Sequence, residues 1–215
     1  MKILQNRAGW LLVALLAVAG VGSTAHAETV TVSRCAAAKV RCVMGYTHVC
    51  GVAGVLGQFK CYQNATIRSR FVDQVCVNRT FDKITECFRD AERRFNDCLT
   101  LNDVVAIQDK IEAFVTDAVQ LVTPGFPYPI ANRCAAGKQQ TVAEATAAKL
   151  GCYEDAFRRE PGMVDPACYA KPETLYAYQF AKLEGNGGCL TSGDNAALEA
   201  KLDAFVADMI VALDR

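Results

Sequence analysis

The chain has 215 residues, is 52% hydrophobic, and balances 23 basic against 23 acidic side chains, so its formal charge is zero. A neutral chain lacks the basic face that nucleic acid requires, which sets that class of partner aside. Eleven cysteines are far more than a thiol-keeping cytosol tolerates in a chain of this size and suggest a disulfide framework.

The first element is an export signal. Lys2 and Arg7 precede an apolar run over 8–22, and Ser-Thr-Ala-His-Ala follows, which places cleavage after Ala27. The run is short for a transmembrane anchor, since a hydrocarbon core of about 30 Å asks for some 20 apolar residues. All eleven cysteines lie beyond it. Loss of Lys2 and Arg7 leaves 21 basic against 23 acidic residues, a charge of −2, and no later run is long enough to span a bilayer. The mature chain reads as soluble, in the periplasm or outside the cell.

From residue 28 the chain repeats itself. CLTLNDVVAIQDKIEAFVTD at Cys98 is answered 91 residues later by CLTSGDNAALEAKLDAFVAD at Cys189. Cys61/Cys152, Tyr62/Tyr153, Lys110/Lys201, Phe114/Phe205 and Asp117/Asp208 keep that offset. Cys76/Cys168, Phe88/Phe180 and Glu92/Glu184 slip by one. RCAAAK at Arg34 answers RCAAGK at Arg133, with about eight extra residues in the first copy. The pattern is a tandem duplication, residues 28–123 and 131–215, joined by the stiff segment PGFPYPI at 124–130.

The periodicity in each copy is helical. In the first, Val104, Ile107, Ile111, Phe114, Ala118 and Val122 recur at three- and four-residue steps, as do Leu198, Leu202, Phe205, Met209 and Leu213 in the second. Each stripe predicts an amphipathic closing helix that starts at Thr-x-x-Asp, Thr100 or Thr191, with the hydroxyl as cap. Two helices come before it. In the second copy they cover 138–159 and a stretch from Asp165-Pro166 to the glycines near 187, where Pro172 should disturb the first turns. Gly45, Gly51, Gly54 and Gly57 weaken the corresponding first helix of copy one or break it. The fold class is therefore all-α, two three-helix units, each a stapled hairpin plus a third helix.

The staples follow from the hairpin. Facing residues of antiparallel helices keep a nearly constant total of residue numbers, because both helices rise equally per residue. This predicts Cys61–Cys76, Cys50–Cys87 and Cys35–Cys98 in the first copy, with Cys152–Cys168 and Cys134–Cys189 in the second. Cys42 is left over as a free thiol or an intermolecular link that would make a dimer. A rearrangement in which Cys42 takes Cys98 and frees Cys35 stays open. The architecture resembles saposins and twin-cysteine hairpin proteins, but neither family's cysteine spacing is reproduced.

Chemistry is sparse. His48, in YTHVC, is the single histidine of the mature chain, and a thiolate–imidazole pair with Cys42 or Cys50 has no supporting motif. The sequence contains no close cysteine pair for zinc, no CxxC, no Gly-x-Ser-x-Gly and no phosphate loop. Glu154 with Asp155 and Asp90 with Glu92 read as solvated helix faces. No catalytic, cofactor-binding or metal-binding residue is assigned, and no cofactor is expected. Asn64-Ala-Thr66 and Asn78-Arg-Thr80 are sequons near the first hairpin's tip. The expected function is non-enzymatic binding of a protein or surface component. The alternatives are a carrier of a small apolar ligand, with Tyr169, Tyr176, Tyr178 and Phe180 around its pocket, and a disulfide-linked envelope component.

Overall fold

A computed structural model describes residues 29–45 and 53–215. Among them the chain is all-helical, with seven helices and one isolated β-bridge. They are α1 (Arg34–Met44), α2 (Gly54–Arg68), α3 (Gln74–Arg94), α4 (Val104–Val122), α5 (Arg133–Arg158), α6 (Pro166–Gly185) and α7 (Asn195–Leu213). The closing helices α4 and α7 stand where the apolar stripes put them.

The long first helix of the second copy, α5, corresponds in the first copy to two pieces, α1 and α2. The break is built from glycine. Gly45 (φ 110°) ends α1 and Gly54 (φ 54°) opens α2, both in left-handed conformations that side chains resist. A Cβ on Gly54 would lie 2.1 Å from the Val43 carbonyl oxygen, and one on Gly45 would lie 2.2 Å from that of Ala53. The end of α1 and the start of α2 thus meet, with the Ala53 N–H on the Gly45 carbonyl at 3.3 Å.

That geometry corrects the cysteine assignment. The bridges are Cys35–Cys98, Cys42–Cys87, Cys61–Cys76, Cys134–Cys189 and Cys152–Cys168, with Cα separations of 4.8 to 5.9 Å. Four agree with the expected rungs. Cys42, expected to be unpaired or intermolecular, instead takes Cys87, and the expected Cys50–Cys87 bridge is excluded. A constant total of residue numbers holds only along an unbroken helix. The residues between Gly45 and Gly54 advance the numbering without advancing α1, so the second rung falls eight places earlier than the count implied. Cys35 and Cys42, two helical turns apart on α1, then share one face toward α3. Cys50 and His48 lie outside the described residues.

The proline-containing helix also differs from expectation. Asp165 caps α6, accepting from the Ala167 N–H at 2.9 Å, and Pro166 occupies the first turn, where no N–H is needed. The helix then runs on through the buried Pro172. α5 starts earlier than expected, at Arg133, because Asn132 caps it by accepting from the Ala135 N–H at 2.7 Å. Ser33 does the same for α1 through Ala36 at 3.0 Å.

The two sequence copies do not form separate cores. One apolar cluster takes residues from α1, α2, α3 and α4 together with α5, α6 and α7. α5 lies at the centre, packed against α1, α2, α6, α7 and α4. Contacts between the copies are reciprocal. Phe114 stacks on Phe205, its own counterpart, with ring centroids 4.3 Å apart and an 11° interplanar angle. Beside them Lys110 reaches Asp208 at 2.6 Å, and Lys201 reaches Asp117 at 2.9 Å. Arg41 on α1 binds Glu154 on α5, while their counterparts Gln140 and Gln63 bind one another at 3.1 Å. Counterpart residues of the two copies thus meet each other or exchange partners, the pattern of an isologous contact.

Candidate functional site

Two kinds of site emerge once side chains are placed, one internal and one on the surface. The internal kind is a buried lysine. In the first copy Lys39, 1% exposed, sends its ammonium to Glu92 and Asp103, both at 2.8 Å, and to the Thr100 carbonyl at 2.8 Å. The Phe88 ring lies under it, 5.3 Å from the nitrogen. In the second, Lys138 meets Glu184 and Asp194, both at 2.7 Å, the Thr191 carbonyl at 2.9 Å, and the Phe180 ring at 5.3 Å. Full pairing and a ring face are what make a buried ammonium tolerable. Thr100 and Thr191 therefore do not cap α4 and α7. Their hydroxyls donate to Asp103 and Asp194, whose carboxylates are turned to the lysines. These lysines close the string shared by the two copies, RCAAAK and RCAAGK, and that shared position was the signal for their burial.

A third lysine, Lys149, is buried between Asp203 at 2.5 Å and Glu173 at 3.0 Å, over the Tyr169 ring. Its counterpart in the first copy is Gln58, which is fully buried with neither amide atom partnered among the described residues. All three lysines act as internal rivets of the fold.

The aromatic stretch of α6 does not converge on one pocket. Tyr176 and Phe180 are buried against each other, 4.7 Å apart, and the Tyr176 hydroxyl donates to the Asn195 carbonyl at the start of α7. Burial, with Glu199, Asp194 and Asp203 nearby, pushes that hydroxyl well above the usual phenol range. Tyr169 packs edge-on to Tyr153, and Tyr178 faces solvent. The carboxylates Glu154 and Glu92 are ion-paired parts of the frame, with Arg158 and Arg41 on the first and Lys39 on the second. Asp90 pairs with Arg93, and Asp155 with Arg159. Asn64 is half-buried and Asn78 exposed. No group of three or more metal-binding side chains occurs among the described residues.

The surface site is the free end of the α2–α3 hairpin. Ser69 (φ 48°) ends α2 in a left-handed conformation, and the Arg70 N–H folds back to the Ala65 carbonyl at 3.1 Å. Asp73 starts α3 by accepting from the Val75 N–H at 3.0 Å. The segment joining the copies runs over this turn. Phe126 packs on Tyr62, Pro129 is buried, and the Ser69 hydroxyl donates to the Pro129 carbonyl at 3.0 Å. Tyr128 then meets Phe71 edge-on, 4.8 Å between centroids. Both rings remain open to water, Phe71 at 60% and Tyr128 at 69%, with Ile67, Val75 and Ile130 exposed around them. Arg68, Arg70 and Arg133 are exposed at the same end, and none has an ion pair among the described residues.

The opposite end, at the α5–α6 turn, is its counterpart and is finished differently. There the segment before α1 crosses the turn, with the Val30 N–H on the Gly162 carbonyl at 2.9 Å and a bridge between Thr29 and Met163. The arginines of that end are neutralised, Arg158 by Glu154 and Arg159 by Asp155. Equal positions in the two copies thus carry an open aromatic face with unpaired cations in one case and paired charges in the other. Neither Phe71 nor Tyr128 was singled out by periodicity, because both lie in turns, where no helical stripe marks them.

No family model matches the chain, and neither does any curated protein or solved structure. The class the fold defines is a disulfide-braced, all-helical protein of the kind an oxidising compartment supports. No described helix is long and apolar enough to cross a membrane.

Proposed function

We propose that this chain is an exported, non-enzymatic binding module, made by duplication of a stapled helical unit, whose contact face is the α2–α3 end. The observation that carries this reading is the exposed Phe71–Tyr128 pair with its apolar neighbours. Water-exposed aromatic side chains in contact with each other, at an end that also exposes arginines with no ion pair among the described residues, are the composition of an interaction face. The rigid joining segment favours the same reading. Phe126 packs on Tyr62 and the buried Pro129 is held by Ser69, so the backbone on both sides of Tyr128 is anchored and less backbone freedom remains to be lost on docking. The polar finish of the opposite end supports a single contact face per chain.

The test replaces Tyr128 with a photo-crosslinking amino acid in the full-length protein and illuminates the native exported fraction. A discrete adduct that disappears on Phe71→Asp is expected. No adduct of any kind, with the protein folded and exported, would remove this face as a binding site.

A further inference from the structure

The class of partner follows from the chemistry and form of that end, given the binding reading above. Peptide recognition by strand addition or by a docked helix relies on an open strand edge or a groove. The α2–α3 end presents a turn between two helices instead, and part of its backbone is already committed: the Arg70 N–H to Ala65, the Pro129 carbonyl to Ser69, and the Asn132 N–H to the Thr66 carbonyl at 3.4 Å. What projects is side chains. Phe71, Tyr128, Ile67, Val75 and Ile130 form the apolar part, each between 46% and 69% exposed. Arg68, Arg70 and Arg133 supply three exposed positive charges with no ion pair among the described residues. The one acidic residue of the turn, Asp73, is directed to the N-terminus of α3, where its carboxylate accepts from Val75.

An end that exposes aromatic and aliphatic side chains together with arginines suits the boundary of an anionic bilayer. Rings and aliphatic chains enter the headgroup layer, while guanidinium groups stay at the phosphates, which they can bind in bidentate fashion. We infer that the α2–α3 end docks peripherally on an anionic phospholipid surface. The rest of the mature chain carries a net negative charge, which an anionic surface repels, so docking through this end would orient the molecule.

The experiment is co-flotation of the full-length, oxidised protein with vesicles of phosphatidylcholine alone or containing about one quarter phosphatidylglycerol. Binding to the anionic vesicles is expected to exceed that to neutral ones by about tenfold or more and to weaken as salt shortens the reach of the arginines. Arg68→Gln with Arg70→Gln should abolish the preference for anionic lipid. Phe71→Ala with Tyr128→Ala should lower binding to the anionic vesicles. Leu175→Ser with Tyr178→Ser, which alters exposed apolar residues on α6, should change neither. Circular dichroism and an intact disulfide map establish that each variant is folded. Absence of binding to anionic vesicles, or binding that both tip variants leave unchanged, would overturn the inference. A crosslink from residue 128 to a protein, or to a second copy of this chain, without vesicle binding would also overturn it while leaving the binding reading in place. No crosslink to protein or lipid would end both.

Discussion

Lys39, Lys138 and Lys149 show how much a single side chain determines here. Each ammonium is enclosed by carboxylates and an aromatic face, and removal of the cation strands two acids at a partly buried site. Lys138→Met is therefore expected to cost about 3–5 kcal/mol, read from chemical unfolding of the oxidised protein. Gln58→Leu should behave oppositely. An amide with both atoms unpartnered among the described residues is replaced by a residue of similar size, so the midpoint should hold or rise. Asp97 contributes to the pH dependence. Burial alone would raise its carboxyl, but the donated N–H groups of Arg34 and Cys35 and the Arg34 charge hold it below the ordinary carboxylate value. With the folded value depressed, its contribution is present above the unfolded carboxylate range and is lost as pH falls through the folded value. Asp97→Asn should flatten the acid limb of a stability-against-pH curve, and an unchanged limb would place the effect elsewhere.

At the scale of elements, the broken first helix is the feature on which the cysteine pattern turns. Peptide mapping under non-reducing conditions should recover Cys42 joined to Cys87, and Cys50→Ser should leave that peptide pair intact. Recovery of a Cys50–Cys87 peptide would contradict the placement of α1 against α3. Gly54→Ala should destabilise by more than about 1 kcal/mol, because a side chain is both disfavoured at positive φ and driven into the Val43 carbonyl. Gly185→Ala, with open space around the Cβ position inside α6, should be neutral or slightly stabilising.

For the whole molecule, the shared core and the reciprocal contacts predict that the two copies unfold as one cooperative unit. Ion pairs such as Lys110–Asp208 and Lys201–Asp117 are solvent-exposed, so they fix orientation more than they add stability. The Phe114–Phe205 stack and the packing of α5 on α1 and α2 carry the association. Urea unfolding of the oxidised protein is expected to give a single transition by near-UV and far-UV circular dichroism alike. Phe205→Ala should lower its midpoint by about 3–5 kcal/mol in equivalent stability without splitting it. Two resolved transitions would mean that the copies unfold independently.

Much of this was legible in the sequence, for a local reason. Helical periodicity, the Asp165-Pro166 cap and the near-constant totals of facing cysteine numbers are short-range signals, so the all-α class, the closing helices α4 and α7 and four of the five bridges could be read directly. The repeated strings gave the correspondence of Phe114 with Phe205 and of Lys39 with Lys138, though not what those residues touch. Tertiary structure alone decided the rest. Whether four glycines bend or break a helix depends on what the two ends meet, and their meeting at Gly45 and Gly54 moved the second rung from Cys50 to Cys42. Whether two copies stand apart or share a core depends on surfaces separated by about 90 residues, which no pattern within one copy encodes. The open Phe71–Tyr128 face arises likewise from two turns distant in sequence, brought together because the segment that joins the copies must cross the end of the first hairpin to reach α5.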